Sequence, residues 1–336
     1  MKIKRLKTLL LALPIVITGC GNNNNGNNDI NSITIKFWHT FGQTIVDGLN
    51  TKIKDFVAKV KEHDGVDVTI KLSYQGAYDD IAQKISDSYS VNNKPTIAVA
   101  YPDHVADYLE IGKSANDDFV VNLDTYINSK EVGFGKESWL GDKYGEDDFV
   151  EDFFEEGSRY AQEGTYSLPY MKSTEIMFYN MDYLVKIMKD YKPEFNSSHT
   201  QIANYMKNIS WDDFIALCQY IKDNMSSISS SLEVPFAYDS DANLFISKLF
   251  QEKINYTSMK DGVGSIEFGE GEDLTKTTNL LESLNDVYKG GLMTTKGIRG
   301  TYGSDFFTGE KCVFSIGSSG GSGYNFPQAE AFELGV

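Results

Sequence analysis

The chain has 336 residues, 41% hydrophobic and 13% aromatic, enough for two domains with sizeable cores. A formal charge of -17 repels phosphate backbones and anionic lipid, which argues against nucleic acid as a partner and against electrostatic attachment to a membrane. Three cysteines make no disulfide framework, and the histidines (His39, His63, His104, His199) lack HxxxH or HxH spacing, so neither a zinc site nor another cofactor is signalled.

At the start, Lys2, Lys4, Arg5 and Lys7 precede an apolar stretch from Leu9 to Ile17 that is too short to span a bilayer. The run Ile17-Thr18-Gly19-Cys20 closes it. Residues 1–19 therefore look like a bacterial lipoprotein signal peptide, with Cys20 as the acylated N-terminus. An ordinary cleaved signal with a chance cysteine is the alternative. Residues 20–30 follow as the lipidated cysteine and a tether, because Gly21 to Asn28 are only Gly and Asn, which favour neither helix nor strand. Loss of the leader's four basic residues would take the body to about -21. The expected location is the outer face of the cytoplasmic membrane, extracellular and held by lipid.

Ile33, Ile35 and Phe37 alternate with polar residues as in a half-buried strand. Leu49, Ile53, Phe56, Val57 and Val60 recur at helical spacing, and Val66, Val68, Ile70 and Leu72 alternate again. Tyr78, Ile81, Ala82, Ile85 and Tyr89 return to the helical period, and Thr96 to Tyr101 reads as a short strand after Pro95. This order predicts a sheet wound with crossover helices. Residues 116–156 read as loops and short helices. Ile176 to Tyr179 reads as a strand, and Ser210-Trp211-Asp212-Asp213 as a capping box opening a helix with Phe214, Leu217, Cys218 and Ile221 inward. Leu274, Leu281, Leu284 and Tyr288 mark a helix stopped at Gly290-Gly291. Cys312 to Ile316 reads as a strand and Gly317 to Gly323 as a Gly/Ser loop. Cys218 and Cys312 are read as buried free thiols, with a disulfide between them left open.

Five separated segments carry a resemblance. They are Ile35 to Phe41 with Trp38-His39, Tyr74-Gln75-Gly76-Ala77-Tyr78, Pro95 to Tyr101, Leu168-Pro169-Tyr170 through Ser173-Thr174 to Phe178-Tyr179-Asn180, and Phe306 to Cys312 running into Ser315 to Gly320. Taken in this order, they resemble extracellular solute-binding proteins of ABC importers, the family of maltose-type and glycerol-3-phosphate-type receptors. The resemblance implies an α/β fold of the class II periplasmic-binding-protein type: two α/β lobes, residues 31–172 and 173–336, with a hinge and an interlobe ligand cleft. In the family, the segment matching Phe332 to Val336 is followed by a return crossing and several helices. The first lobe is therefore expected to lack its returning strand.

The resemblance implies ligand contacts at Tyr78, Tyr101, Asp103, Ser173, Ser318 and Ser319. The glutamate expected after Tyr101 is replaced by Pro102, which moves the acidic residue to Asp103. The tryptophan pair of the glycerol-3-phosphate-type receptors is absent, with Tyr238 and Asp239 as substitutes. His39 lies in a loop that faces the ligand in this family. For several of these residues a structural role stands beside the functional one: interior helix packing for Tyr78, hinge geometry for Ser173, a loop hydrogen bond for His39 and a plain turn for Ser318-Ser319. Lys172 and Arg299 could meet a phosphate or be surface charges. Asp239, Asp241 and Asn243 mimic the start of a calcium loop, but Leu244 and Phe250 stand where the glycine and glutamate should be, so no metal is expected.

The function implied is capture of a sugar, oligosaccharide or glycerol 3-phosphate-like solute by lobe closure and its delivery to ABC permease subunits served by a separate ATPase. The receptor would be a monomer and not an enzyme. A membrane-anchored surface hydrolase (glycosidase or phosphatase) and an adhesin-type lipoprotein are the alternatives. The chain shows no Ser-His-Asp order, no metal spacing and no paired acid and base.

Overall fold

A computed structural model describes residues 31–91, 93–129, 133–134, 148–260, 263–328 and 331–336. Cys20, the leader before it and the tether after it lie outside the described residues. The chain divides into two units that meet between Pro169 and Tyr170.

The first unit runs β1 (Ser32–His39), α1 (Gln43–Asp64), β2 (Asp67–Tyr74), α2 (Tyr78–Val91), β3 (Ile97–Ala98) and α3 (Pro102–Ala115), then the short helices α4 (Asp124–Ile127) and α5 (Glu151–Glu155). The strands are parallel in the order β2-β1-β3. Parallel neighbours require crossovers, which α1 and α2 supply. Ile33 pairs with Val68 and Ile35 with Ile70, so alternation puts all four on one face. There they pack on Phe56, Val57 and Val60 of α1. Trp38 and Ala98 join the cluster on Ile81, Ile85 and Tyr108 of α2 and α3. Helix α1 stops at Gly65, whose φ of 74° lets its N–H return to the Lys61 carbonyl at 3.0 Å. The strand expected over Thr96 to Tyr101 shrinks to two residues. Pro102 holds Tyr101 extended and occupies the first helical position of α3, where its missing N–H costs nothing.

The second unit holds β4 (Glu175–Asn180), α6 (Met181–Tyr191), α7 (His199–Lys207), α8 (Trp211–Ile228), β5 (Phe236–Tyr238), α9 (Asp241–Gln251), β6 (Thr257–Lys260), β7 (Val263–Ile266), α10 (Gly271–Lys289), β8 (Met293–Thr295), α11 (Lys296–Arg299), α12 (Gly303–Thr308), β9 (Phe314–Ser318) and β10 (Leu334–Gly335). Its main sheet has the order β10-β4-β9-β5-β8, with β5, β8 and β9 parallel and β4 antiparallel to both neighbours. Alternation sorts the core into two. Tyr179, Phe236, Tyr238, Phe314 and Ile316 pack beneath Leu184, Ile187, Phe214, Leu217 and Ile221 of α6 and α8. On the other face Phe178 and Ala237 meet Phe306 and Phe307 of α12 and Phe332. Each such side chain, fully buried, stabilises by about 1.5–3 kcal/mol. Ser210 caps α8: its Oγ accepts from the Asp213 N–H at 3.1 Å and donates to the Asp213 carboxylate at 2.7 Å.

Two further expectations change, and one element is new. Helix α10 forms and ends before Gly290-Gly291, but Leu274, Leu281 and Tyr288 are exposed and the inward stripe is Thr277, Leu280, Leu284 and Val287. A helix this polar offers more than one apolar line, and the neighbouring strand chooses between them. The Gly/Ser segment is not a loop: β9 runs on to Ser318, and Ser319–Asn325 form a 3-10 helix. The hairpin β6–β7 was not foreseen, because polar residues and glycine interrupt its apolar positions. Cys218 and Cys312 are buried free thiols. No helix among the described residues is long and apolar enough to cross a membrane.

Candidate functional site

Loops at the carboxyl ends of parallel strands are where open α/β sheets hold ligands. In the first unit that edge is formed by the ends of β1, β2 and β3. His39, the last residue of β1, pairs in register with Tyr74, the last of β2. Tyr101 follows β3 and Tyr78 opens α2. The rings of Tyr78 and Tyr101 stack with centroids 4.2 Å apart and 22° between planes. Tyr101 is half exposed, and burial followed by the nearby Tyr78, Asp103 and Asp79 raises its phenol pKa, so the ring is a neutral aromatic face at physiological pH. Asp103 is exposed in the first turn of α3, where a carboxylate also favours the helix N-terminus. The approach to Tyr78 depends on Gly76 at φ 103°, since a Cβ there would collide with Asp80, whose carboxylate accepts the Ala77 N–H at 2.8 Å.

His39 is buried, stacks on Phe41 at 5.3 Å and accepts the Phe41 N–H through Nδ1 at 3.1 Å. Its imidazole thus shapes the loop after β1, and burial lowers its pKa. Tyr74, which the sequence reading did not single out, is 65% exposed at this edge. Extending the β2 alternation to the strand's last residue would have found it.

In the second unit, β5, β8 and β9 end at one edge and the antiparallel β4 begins there, with Glu175 opposite Ser318. Ser173, Tyr238, Asp239, Ser318 and Ser319 therefore belong to a single edge. The Ser319 N–H donates to the Thr174 carbonyl at 2.8 Å, and the Thr174 N–H donates to Ser319 Oγ at 3.1 Å. Ser318 Oγ accepts the Gly320 N–H at 3.1 Å. Ser173 and Gly320 approach closely enough that a Cβ on the glycine would lie 3.8 Å from the serine Cβ.

Tyr238 is buried, and burial, with Glu175 beside it, pushes its phenol pKa up. Asp239 accepts the Gly303 N–H at 2.6 Å, so it caps α12, and its other carboxylate oxygen sits where a Cβ on Gly317 would be. Burial raises the Asp239 pKa against the opposing backbone hydrogen bonds from Gly303 and Ser304. Asp241 accepts from the Thr295 hydroxyl and from the Gly297 N–H at 3.0 Å, while Asn243 donates to Glu175 at 2.9 Å. The three residues that mimic a calcium loop are thus engaged in capping and helix-to-strand hydrogen bonds. Arg299 stands 3.9 Å from Glu233, and Lys172 is exposed. Sequence reasoning missed Thr174 and Glu175, whose place at this edge follows only from antiparallel pairing with β9.

The sequence model for bacterial extracellular solute-binding proteins matches residues 53–330, most of the chain. The chain belongs to this family. The solute-binding protein has the class II periplasmic-binding-protein α/β fold, and solved structures share it. One is the GacH receptor of Streptomyces glaucescens, solved unliganded and with acarbose and an acarbose homolog, at 14% identity and a TM-score of 0.57 over 87% of this chain and 62% of that one. Another is the cyclic alpha-maltosyl-1,6-maltose binding protein from Arthrobacter globiformis, at 16% identity and a TM-score of 0.59 over 90% and 64%. A third is maltose-bound MalE3 of T. maritima, at 11% identity and a TM-score of 0.54 over 90% and 66%. The solute-binding protein thus spans just under two thirds of the length of each. At these identities the likeness is one of fold. No curated protein matches at a significant level.

Proposed function

We propose that this solute-binding protein captures a sugar or oligosaccharide outside the cell and passes it unaltered to the permease subunits of an ABC importer whose ATPase is a separate subunit. The observation that carries the reading is the stacked Tyr78–Tyr101 pair at the carboxyl edge of the first sheet. A sugar presents C–H surface to an aromatic face and hydroxyls to polar groups, and Ser173, Ser318 and Ser319 supply polar groups at the carboxyl edge of the second unit's own sheet. Anchoring through acylated Cys20 belongs to the same proposal and is supported by the basic and apolar leader before it. A micromolar receptor needs only about 8 kcal/mol of net binding free energy, which a few hydrogen bonds and one stack can supply.

Isothermal titration of the protein with a panel of neutral mono- and oligosaccharides, and with glycerol 3-phosphate as the second ligand class, tests the reading. Saturable binding without turnover is expected. No saturable binding to either class, or hydrolysis of chromogenic glycosides or phosphate esters, would overturn it.

A further inference from the structure

Near the carboxyl edge of the second unit's sheet, Tyr238 is buried, and Tyr302 is engaged by the Lys296 ammonium, 2.6 Å from its hydroxyl and 3.8 Å from its ring centre. Tyr324 differs from both. It is 77% exposed, and among the described residues its ring has no stacking partner and its hydroxyl no hydrogen bond. It stands on the 3-10 helix Ser319–Asn325, whose N-cap is Ser318. Such a helix repeats every three residues, so Ser318, Gly321 and Tyr324 follow one another in a row along one side. The contact distance agrees, since a Cβ on Gly321 would lie 3.9 Å from Cδ2 of Tyr324. The helix is anchored at both ends: Asn325 is buried, and Ser319 is tied to Thr174 through its N–H and its Oγ.

The fold does not require glycine in this helix. None of Gly320, Gly321 and Gly323 has a positive φ. A Cβ on Gly321 would meet only Tyr324, and one on Gly323 would enter open space. A side chain at either position would be tolerated and would reduce the freedom of the unfolded chain. The effect of their absence is to leave bare backbone between the Ser318 hydroxyl and the Tyr324 ring.

We propose that Tyr324 is a ligand-stacking residue of the second unit, which lays its ring against the C–H face of a sugar ring seated over Gly321. The proposal rests on the solute-capture reading and adds to it a requirement for a cyclic sugar. The ring is already presented from fixed backbone, and its exposed face gives up water only when a ligand covers it. Ser318 Oγ accepts the Gly320 N–H but keeps its own proton, so at the other end of the row it can still donate to a sugar oxygen. Each turn of a 3-10 helix rises about 6 Å, which leaves room for one pyranose ring over the bare turn. An open-chain polyol or glycerol phosphate has no flat C–H face and gains nothing from the stack.

The test is calorimetric titration with glucose, maltose, maltotriose and xylobiose, the tightest binder then being carried to the variants. Tyr324→Ala should weaken it roughly three- to tenfold, and Tyr324→Phe, which keeps the ring, by less than about twofold. Gly321→Leu fills the bare turn and should weaken binding by about tenfold or more. Its melting temperature should fall by no more than about 2 °C, because the backbone and the space both accept a Cβ. Phe250→Ala removes an exposed aromatic ring from the C-terminal end of α9 and should change affinity by less than about twofold. Undiminished affinity in Tyr324→Ala or in Gly321→Leu, or equal losses in Tyr324→Ala and Tyr324→Phe, overturns the proposal while leaving solute capture standing. If Tyr324→Ala does not fold, Gly321→Leu decides alone. No binding of any of the four saccharides removes the sugar reading and this role together.

Discussion

The rings of Tyr78 and Tyr101 stack at 4.2 Å although a helix and a strand separate them in the chain. Parallel pairing of β1 with β2 and β3 brings them to one edge. Such a stack is worth about 0.5–1.5 kcal/mol beyond area burial. Tyr101→Ala should therefore weaken sugar binding by roughly three- to tenfold in calorimetric titration. Because Tyr101 is half exposed, the melting temperature should move by only about 2 °C or less. Undiminished affinity would remove the aromatic pair from the binding edge.

Asp239 is expected to matter first for stability. Asp239→Ala strips the acceptor from the N-terminus of α12 and should destabilise the second unit by about 1–3 kcal/mol in urea unfolding. Asp239→Asn keeps one acceptor oxygen and drops a charge that burial disfavours, so its loss should be smaller. Equal losses for the two variants would show that the carboxylate's charge, rather than its cap, is what the fold uses.

His39 gives the first unit a pH dependence of defined sign. Burial holds its folded pKa below the usual value of about 6.5, so the folded state binds the proton more weakly than the unfolded chain. Its contribution is complete above about pH 6.5 and is lost as pH falls through the folded value. His39→Gln, which can still accept the Phe41 N–H, should flatten the fall in melting temperature between about pH 7.5 and pH 5. An unchanged slope would assign the acid sensitivity elsewhere.

Cys218 and Cys312 are fully buried, and burial raises both thiols, so little thiolate exists at neutral pH. Neither should react with a thiol-specific reagent in the native protein on a timescale of minutes, and both should react once it is unfolded in denaturant. Rapid native labelling would mean that α8 or the segment leading into β9 opens far more readily than its packing implies.

What the sequence determined by itself is local. The alternation of Ile33, Ile35 and Phe37, the helical spacing of Phe56, Val57 and Val60, and the cap at Ser210 each fix an element, because period and capping need only near neighbours. The ordered segments also carried the family, which the match over residues 53–330 establishes. Tertiary structure decided the rest. Which stripe of α10 turns inward depends on the strand it meets, and Glu175 reaches the carboxyl edge of the second unit's sheet only because β4 runs antiparallel to β9. Asp239 became a cap for α12 because residues far along the chain arrive with unsatisfied N–H groups, and no spacing in the sequence encodes that meeting.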